Sequence, residues 1–306
     1  MMSEILTISN LNKSFGSKKV LHDVSLTVET GHIVGLVGPN GTGKSTIMKT
    51  ILGLINYQSG DIKINGQVVS PTSHQALSKV GALIEYPGLY PFLSGWDHLR
   101  LFADGDNRLE HMQDIVSKLK MDGYIKQKAK GYSLGMKQKL GIAMALLNDP
   151  NLVILDEPMN GLDPQATKDL RELILDEAKD GKTFLISSHI LSELEKLAQD
   201  LLIIDHGSII RQTTMSELLA SGGSFIDLQT SDDQAARQAL QAAGFELTND
   251  ASLRVVLTDS DDNAMTNVLG TLNNAGLTVK DVKHEEGSLE SSLLDLLAHD
   301  QDQVKE

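Results

Sequence analysis

The sequence predicts an α/β fold followed by a second, smaller α+β domain at the C-terminal end. Short apolar runs alternate with helical patterns through the middle of the chain. Strands that alternate between apolar and polar residues mark its start, and the charge balance shifts near residue 222. With 306 residues, of which 41% are hydrophobic, the chain is long enough for one or two domains with a buried core.

The middle of the chain predicts a parallel core sheet. Its candidate strands are short and apolar, and they are Ile33–Val37, Leu152–Leu155, Thr183–Ser187 and Leu201–Ile204. Helical patterns lie between them at about 136–148, 165–179 and 190–198. Strands covered by helices on both faces have nearly continuous apolar sequences, so this alternation indicates a parallel sheet between two helical layers.

The start of the chain predicts a different sheet. Apolar and polar residues alternate in Ile5–Ser9, Val24–Val28, Asp61–Ile64 and Gln67–Val69. Alternation with period two is typical of strands with one buried face. We therefore expect an antiparallel β patch beside the parallel core.

The charge distribution predicts a domain boundary. Residues 221–306 carry 16 acidic residues and only 5 Lys plus Arg, whereas the remainder carries 25 and 22. The change falls at Ser221–Ser224, a short Gly/Ser run of the kind that links domains. We therefore expect one domain over residues 1–222 and a C-terminal accessory domain over residues 223–306.

The sequence pattern of the accessory domain predicts a small ferredoxin-like fold. Strand patterns occur at Phe225–Leu228, Phe245–Leu247, Leu253–Leu257 and Leu277–Val282. Helical patterns occur at Asp232–Ala243, Asn263–Asn274 and Leu289–Leu297. These elements form two βαβ-like halves. Two acidic stretches, His284–Glu286 and Asp259–Asp262, are interpreted as solvated surface rather than as metal ligands.

Composition excludes several functional classes. The absence of cysteine excludes a disulfide-stapled secreted fold. There is no apolar run of about 18 residues to span a membrane, and Met1–Glu4 lack the features of a signal peptide, so we expect a cytoplasmic protein. The formal net charge of −14 argues against nucleic-acid binding through a general basic surface, and we expect no nucleic-acid partner.

The strongest motif is a phosphate-binding loop. Gly38–Ser45 fits the pattern G-x-x-x-x-G-K-[ST], after a predicted strand and before a predicted helix. Its glycines let backbone N–H groups surround phosphates, Lys44 supplies a positive charge, and the Ser45 hydroxyl can bind Mg²⁺. The candidate nucleotide-binding residues are Gly38, Pro39, Asn40, Gly41, Thr42, Gly43, Lys44, Ser45 and Thr46, the last of which opens the helix facing the anion.

A second motif supplies the acids that such a loop needs. The apolar run Leu152–Leu155 ends in Asp156 and Glu157. A strand end in this position can direct Asp156 toward Mg²⁺, and Glu157 can polarise the attacking water. On its own this pattern is weak, but together with the phosphate loop it predicts hydrolysis of a nucleoside triphosphate.

With these motifs, the chain resembles the ATP-binding subunit of an ABC transporter over residues 1–220. The segment YSLGMKQ at 132–138 lies where that family has its LSGGQ signature, and Asn160–Asp163 matches the D-loop. Ser188 and His189 match the switch-histidine position, and Phe15 lies where the family places an aromatic residue against adenine. The resemblance implies a P-loop NTPase fold of the ABC type that includes a helical subdomain.

The resemblance also implies a mechanism and partners. ATP and Mg²⁺ would be bound between two subunits packed head to tail. Lys44 and Ser45 of one subunit would face Ser133 and Gly135 of the other, with Asp163 connecting the two sites. Glu157 would be the general base and His189 would contact the γ-phosphate. The chain would lie on the inner face of the cell membrane, attached to polytopic permease subunits.

Two departures from the family pattern point to a branch of it. Glu85 replaces the glutamine that usually follows the strand after the antiparallel region, and a carboxylate there could also bind Mg²⁺. Ser133–Met136 lacks the second glycine and the glutamine of LSGGQ. Both forms, together with the stretch Tyr86–Gly95, resemble the bacitracin and lantibiotic resistance branch.

This resemblance favours export of, or immunity to, a peptide antibiotic. An importer ATPase remains an alternative, because the ATPase core does not encode transport direction. A soluble ABC ATPase acting on a non-membrane target is disfavoured by the single phosphate loop and the low basic charge. A module that holds ATP without turnover is disfavoured by the intact Lys44, Asp156, Glu157 and His189.

Overall fold

A computed structural model describes residues 3–70, 72, 74–221, 224–248, 252–257, 263–286, 289, 290, 292, 293 and 296. The chain divides into two compact units, residues 1–215 and residues 216–306. The division lies close to the boundary predicted at residue 222. Within the described ranges, no helix combines the length and the apolar character needed to cross a membrane.

The first unit alternates strands and helices. Its strands are β1 (Glu4–Phe15), β2 (Lys18–Glu29), β3 (Ile33–Val37), β4 (Ser59–Ile64), β5 (Gln67–Val68), β6 (Val80–Leu83), β7 (Leu152–Asp156), β8 (Thr183–Ser187), β9 (Asp200–Asp205) and β10 (Ser208–Thr214). Its helices are α1 (Lys44–Ile51), α2 (Gly95–Phe102), α3 (Arg108–Lys118), α4 (Leu134–Leu146), α5 (Pro164–Lys179) and α6 (Leu191–Glu195), and α7 (Met215–Ser221) follows at the division.

A six-stranded sheet forms the core, in the order β10-β9-β3-β8-β7-β6. Its strands are parallel from β9 to β6, which confirms the predicted parallel core. Every residue of β3, β7 and β8 is buried, because both faces of the sheet are covered. The antiparallel edge strand β10 was not predicted, because its mixed exposure gives no clear alternation.

An antiparallel sheet in the order β2-β1-β4-β5 confirms the predicted patch. Strands β1 and β2 each have 12 residues and are longer than their predicted segments. The alternation in the sequence breaks where the pairing register shifts between Ile8 and Leu11, and Asn10 there has a φ of 49°. An irregularity of this kind shifts the period of the pattern, which explains the short prediction.

Helices α2, α3 and α4 pack against one another and form the helical subdomain. Helix α2 begins with a capping box, in which Ser94 accepts from the Asp97 N–H and the Asp97 carboxylate accepts from the Ser94 N–H. The sequence patterns gave no bounds for α2 or α3. Helix α4 begins two residues before the predicted start at 136, because Ser133 caps it.

The second unit contains β11 (Ser224–Thr230), α8 (Asp233–Ala242), β12 (Leu253–Leu257), α9 (Ala264–Asn274) and β13 (Val279–Glu286). The strands form an antiparallel sheet in the order β12-β11-β13, and the helices contribute Leu240, Val268 and Leu272 to its core. The predicted strand at 245–247 is reduced to a single bridge between Leu247 and Val255. The connectivity is therefore the β-α-β-β-α-β of ferredoxin-like domains, with a minimal second strand.

Two predictions for this unit fall wholly or partly outside the described residues. Asp259–Asp262 lies outside them, and so does nearly half of the predicted helix at 289–297, whose described positions are helical. Within the part of the chain that the structure describes, His, Asp and Glu side chains do not cluster in a way that could hold a metal ion.

Candidate active site

The phosphate loop connects the buried strand β3 to helix α1. Its backbone depends on glycine, because a Cβ at Gly38 would lie 2.1 Å from the Ile204 carbonyl oxygen. Gly43 adopts a φ of 112°, a conformation that L-residues with side chains rarely reach. Helix α1 begins at Lys44, so its first N–H groups and the positive end of its dipole lie at the loop.

The Lys44 side chain is folded into this loop and is only 8% exposed. Its ammonium donates to the carbonyl oxygens of Gly38, at 2.7 Å, and Pro39, at 3.0 Å. Burial lowers the pKa of Lys44, while the nearby carboxylates of Glu157 and Asp156 partly oppose that shift. The loop thus holds a desolvated cation where a phosphate would bind.

A cavity of about 280 Å³ brings the two sequence motifs together. Its lining residues are Val20, Asn40, Gly41, Gly43, Lys44, Ser45, Thr46, Asp156 and Glu157. The phosphate loop supplies donors and positive charge on one side, and the end of β7 supplies the two acids. This juxtaposition is what hydrolysis of a nucleoside triphosphate requires.

The donor set fits Mg²⁺ in part. Ser45 and Asp156 line the same cavity and offer a hydroxyl and a carboxylate, the hard oxygen ligands that Mg²⁺ prefers. Asp156 is 3% exposed, and one of its oxygens accepts from the Ser187 hydroxyl at 2.5 Å. Ser187 was not predicted, although its position at the end of the neighbouring strand β8 gives it this role.

Glu85, the third predicted metal ligand, is placed differently. It is not among the residues that line the cavity, and its carboxylate accepts from the Lys49 ammonium at 2.5 Å. Lys49 lies in the last turn of α1, the helix that follows the phosphate loop. The structure therefore connects Glu85 to the phosphate loop through α1 rather than through a shared cavity.

Glu157 and His189 are in direct contact, although 32 positions separate them in the sequence. One Glu157 carboxylate oxygen accepts from the His189 N–H at 3.1 Å and lies 2.5 Å from His189 Nδ1. The Glu157 backbone has a φ of 52°, in the left-handed region that costs a non-glycine residue energy. The predicted base and switch histidine thus form one unit with a constrained backbone.

Gln138 also contacts Glu157 and was not singled out from the sequence. It is 2% exposed, and its Nε2 donates to the carbonyl oxygens of Glu157, at 3.3 Å, and Pro158, at 3.1 Å. A sequence signal exists, since Gln138 is the last residue of the segment YSLGMKQ at the signature position. A buried amide requires hydrogen-bond partners, but the sequence does not say which ones.

The predicted residues of the partner-facing surface lie outside the cavity lining. In the signature segment, defined as Ser133–Met136, the Ser133 hydroxyl caps α4 by accepting from the Met136 N–H at 3.2 Å. A Cβ at Gly135 would lie 3.1 Å from the Gly161 carbonyl oxygen, so a side chain here would be in tight contact with that carbonyl. Asp163 caps α5 by accepting from the Ala166 N–H at 2.8 Å.

Phe15 also lies outside the cavity lining, at the end of β1. Phe15 is 51% exposed, and the Lys13 ammonium lies 4.4 Å from the centroid of its ring. One face of the ring therefore makes a cation–π contact. The exposed ring is available for stacking on a planar base, which is the role the family resemblance implies.

Comparison with known proteins agrees with this geometry. Residues 21–160 match the family model described as ABC transporter. The chain is 43% identical over 207 residues to the lantibiotic transport ATP-binding protein SrtF of Streptococcus pyogenes, covering 67% of this chain and 89% of SrtF. It is 36% identical over 261 residues to the bacitracin transport ATP-binding protein BcrA of Bacillus licheniformis, covering 83% of this chain and 85% of BcrA.

A solved structure of the ATP-binding subunit of an ABC transporter superposes with a TM-score of 0.66 at 31% sequence identity, covering 70% of this chain and 91% of that one. The matched family model includes the phosphate loop and extends through Asp156 and Glu157. With these acids beside the loop in one cavity, the chain belongs to the ABC transporter family, as an ATP-binding subunit that hydrolyses ATP.

Proposed function

We propose that this ATPase energises a separate membrane permease that exports a peptide antibiotic or confers immunity to one. The observation that carries the proposal is the extent of the likeness to BcrA, whose name states bacitracin transport. That likeness spans 261 residues and so extends beyond the 215 residues of the first unit. The likeness to SrtF, whose name states lantibiotic transport, supports the same substrate class.

In the proposed reaction, the phosphate loop binds the triphosphate. The Lys44 ammonium then exchanges its hydrogen bonds to the Gly38 and Pro39 carbonyls for one to a phosphate oxygen. Ser45 and Asp156 would hold Mg²⁺, which neutralises developing charge on the phosphates. Glu157 accepts a proton from the water that attacks the γ-phosphorus, and the bond between the γ-phosphorus and the β-phosphate oxygen breaks, so that ADP and phosphate are released. His189, bonded to the Glu157 carboxylate, orients that base and faces the γ-phosphate.

We propose a head-to-tail dimer as the hydrolytic unit. Helix α4 has 13 residues, and its N-terminal end carries the Ser133 hydroxyl and the Gly135 backbone. A helix N-terminus favours an anion, so this end suits the γ-phosphate bound by the partner subunit. Asp163 and Phe15 complete the proposed ATP-binding surfaces, at the D-loop and against adenine respectively.

The permease is proposed to dock on an apolar groove of the first unit. The groove has a volume of about 570 Å³. Its lining includes Leu54, Tyr86 and Phe102, which are among the large apolar side chains exposed on the surface. Large exposed apolar patches mark protein–protein contacts. Glu85 directly precedes Tyr86 and forms an ion pair with Lys49 of α1. Because α1 follows the phosphate loop, this ion pair connects the groove to the loop.

A pull-down tests the partner. Tagged Glu157→Gln, bound to ATP and Mg²⁺ in detergent-solubilised membranes, is expected to recover polytopic membrane subunits. Adding Tyr86→Glu should prevent this recovery, because a charge in the groove opposes apolar docking. Val68→Glu is the matched control, since Val68 is also exposed but is not part of the groove lining.

Each outcome of the pull-down decides between the alternatives. Recovery of a permease together with an extracellular substrate-binding protein would favour an importer. Recovery of ribosomal or DNA-bound proteins without any membrane protein would overturn the transporter proposal. Recovery of a permease whose deletion leaves sensitivity to bacitracin and to a lantibiotic unchanged would overturn the substrate class alone.

Glu85→Gln is expected to impair coupling while ATP still binds. The change removes the negative charge of Glu85 from its ion pair with Lys49. The Glu85 side chain is more than half exposed. Nucleotide affinity and the ATPase rate of the isolated subunit should remain within about twofold, because Glu85 does not line the cavity. Antibiotic resistance conferred by the complete transporter should fall.

The control for this prediction is Glu172→Gln, which alters the surface ion pair between Glu172 and Lys168 on α5. That variant should leave both ATPase rate and resistance unchanged. Equal resistance in cells carrying the Glu85→Gln and wild-type transporters would contradict a coupling role for Glu85.

A further inference from the structure

We propose that Gln138 is a positioning residue for ATP hydrolysis. From helix α4, its side chain donates a hydrogen bond to the carbonyl oxygen of Glu157. It thereby connects the base of each subunit to the signature segment of the same subunit, where α4 begins. The inference rests on the proposed role of Glu157 as the base. It concerns a residue that does not itself line the nucleotide cavity but contacts the backbone of Glu157, which does.

The hydrogen bonds of Gln138 require a side chain that donates N–H groups. Its Nε2 lies 3.3 Å from the Glu157 carbonyl oxygen and 3.1 Å from that of Pro158. Carbonyl oxygens only accept hydrogen bonds, so the amide must present its nitrogen to them. The side chain is 2% exposed, and a polar group buried to this degree needs such partners.

These bonds act on a backbone that needs support. Glu157 has a φ of 52°, and a non-glycine residue keeps this conformation only when its surroundings hold it. On the amino side, the Glu157 N–H donates to Ser187, to the carbonyl oxygen at 3.2 Å and to the hydroxyl at 3.1 Å. On the carboxyl side, the Glu157 carbonyl accepts from Gln138 and from the Asn160 N–H. Strand β8 and helix α4 therefore hold opposite sides of one residue.

Helix α4 contacts this segment at a second point. A Cβ at Gly161 would lie 2.3 Å from a methyl carbon of Leu134, so the Leu134 side chain packs directly on Gly161. Leu134 and Gln138 are separated by one helical turn and lie on the same side of α4. A displacement of the signature segment is therefore passed to the Glu157 peptide through Gln138, and to Gly161 in the turn that follows it through Leu134. In the proposed dimer, this connects ATP bound by the partner to the base of this subunit.

Gln138→Met tests the positioning role. Methionine preserves the length and the apolar stem but removes both N–H donors. We expect kcat to fall about tenfold, equivalent to about 1.4 kcal/mol in the activation barrier. The KM and Kd for ATP should stay within about twofold, because Gln138 is not one of the residues that line the nucleotide cavity.

Lys139→Met is the matched control. Lys139 is the next residue of the same helix, and its ammonium donates to the Leu119 carbonyl at 3.1 Å, away from Glu157. This variant also loses a side-chain hydrogen bond to a backbone carbonyl, and its kcat should remain within about twofold of the wild-type value. Thermal unfolding of both variants checks that each is folded.

Gln138→Glu adds a readout that a merely structural role would not produce. A protonated carboxyl can donate to one of the two carbonyls, whereas an ionised one would repel them. Burial raises a carboxyl pKa, so the donor should return as the pH falls toward 6. We expect the ratio of the variant's kcat to the wild-type kcat to rise at least ~threefold from pH 8 to pH 6. The same ratio for Gln138→Met should stay flat.

The outcomes separate this proposal from the assignment of Glu157. An unchanged kcat in folded Gln138→Met would overturn the positioning role, and so would an equal loss in Lys139→Met or a pH-independent ratio for Gln138→Glu. If Gln138→Met does not fold, the pH dependence of Gln138→Glu decides. Continued hydrolysis by Glu157→Gln would instead show that the proposed base is wrong, whatever the Gln138 variants do.

Discussion

Glu157→Gln is expected to lower the ATPase kcat by at least ~100-fold while ATP and Mg²⁺ still bind. Glutamine has nearly the shape of glutamate but cannot accept the proton of the attacking water. The residues proposed to hold nucleotide and Mg²⁺, among them Lys44, Ser45 and Asp156, stay unchanged. ATP should therefore bind and keep the two subunits together, because the step that separates them is blocked.

Three measurements check this prediction. The rate of phosphate release measures kcat, and equilibrium binding of a fluorescent ATP analogue measures the nucleotide affinity. Size-exclusion chromatography in the presence of ATP detects the dimer. His189→Ala is a useful comparison, since it removes the Nδ1 contact to the Glu157 carboxylate but leaves the base itself. It should reduce kcat less than Glu157→Gln does. Turnover by Glu157→Gln near the wild-type rate would mean that another group takes the proton.

Lys44→Met is expected to abolish measurable turnover and to weaken ATP binding by at least ~tenfold. The variant keeps the aliphatic stem but removes the ammonium that lies in the phosphate loop. A hydrogen bond to a charged partner contributes about 1.5–3 kcal/mol, which corresponds to roughly 10- to 150-fold in affinity. Lys44→Arg should not restore function, because a planar guanidinium is a poor replacement for a compact ammonium in a tight loop.

The same residue should also make the stability of the nucleotide-free protein depend on pH. Burial lowers the pKa of Lys44, although Glu157 and Asp156 partly oppose this. A lowered pKa means that the folded chain binds the proton more weakly than the unfolded chain, so the ammonium costs stability at pH values below the folded pKa. The free energy of unfolding of the wild type should therefore rise as the pH increases from the folded pKa of Lys44 toward that of the unfolded chain, and denaturant unfolding of Lys44→Met should lack this rise.

Lys49→Met provides the control for Lys44→Met. Lys49 lies on the same helix but pairs with Glu85 outside the nucleotide cavity. We expect its ATP affinity to remain within about twofold of the wild-type value. ATP binding by Lys44→Met with unchanged affinity would contradict the role given to the phosphate loop.

Local sequence was enough to predict the binding loop and its neighbouring strand. Gly38–Ser45 is contiguous, so the motif can be recognised in the sequence without knowledge of distant contacts. Buried parallel strands were recognised because residues covered on both faces must all be apolar, as in β3, β7 and β8. Where a strand is only half covered or carries a bulge, as in β10 and β1, the pattern was incomplete.

The pairing of the candidate site residues could not be predicted in the same way. The sequence identified Glu157, His189 and Glu85 as candidates, but not their contacts. In the structure, the Glu157 carboxylate contacts His189. Glu85 pairs with Lys49 and does not line the cavity that contains Ser45 and Asp156. The structure also adds Ser187 and Gln138, whose importance follows from what they contact.

The sequence by itself thus determined the fold class, the ATP-binding chemistry and the approximate position of the division between the two units. Each of these depends on contiguous residues, on period or on composition, which the chain carries locally. The contacts between side chains, in contrast, could be read only from the three-dimensional structure. Contacts such as Gln138 to Glu157 join elements that are distant along the chain, and their geometry is set by how α4, β7 and β8 pack.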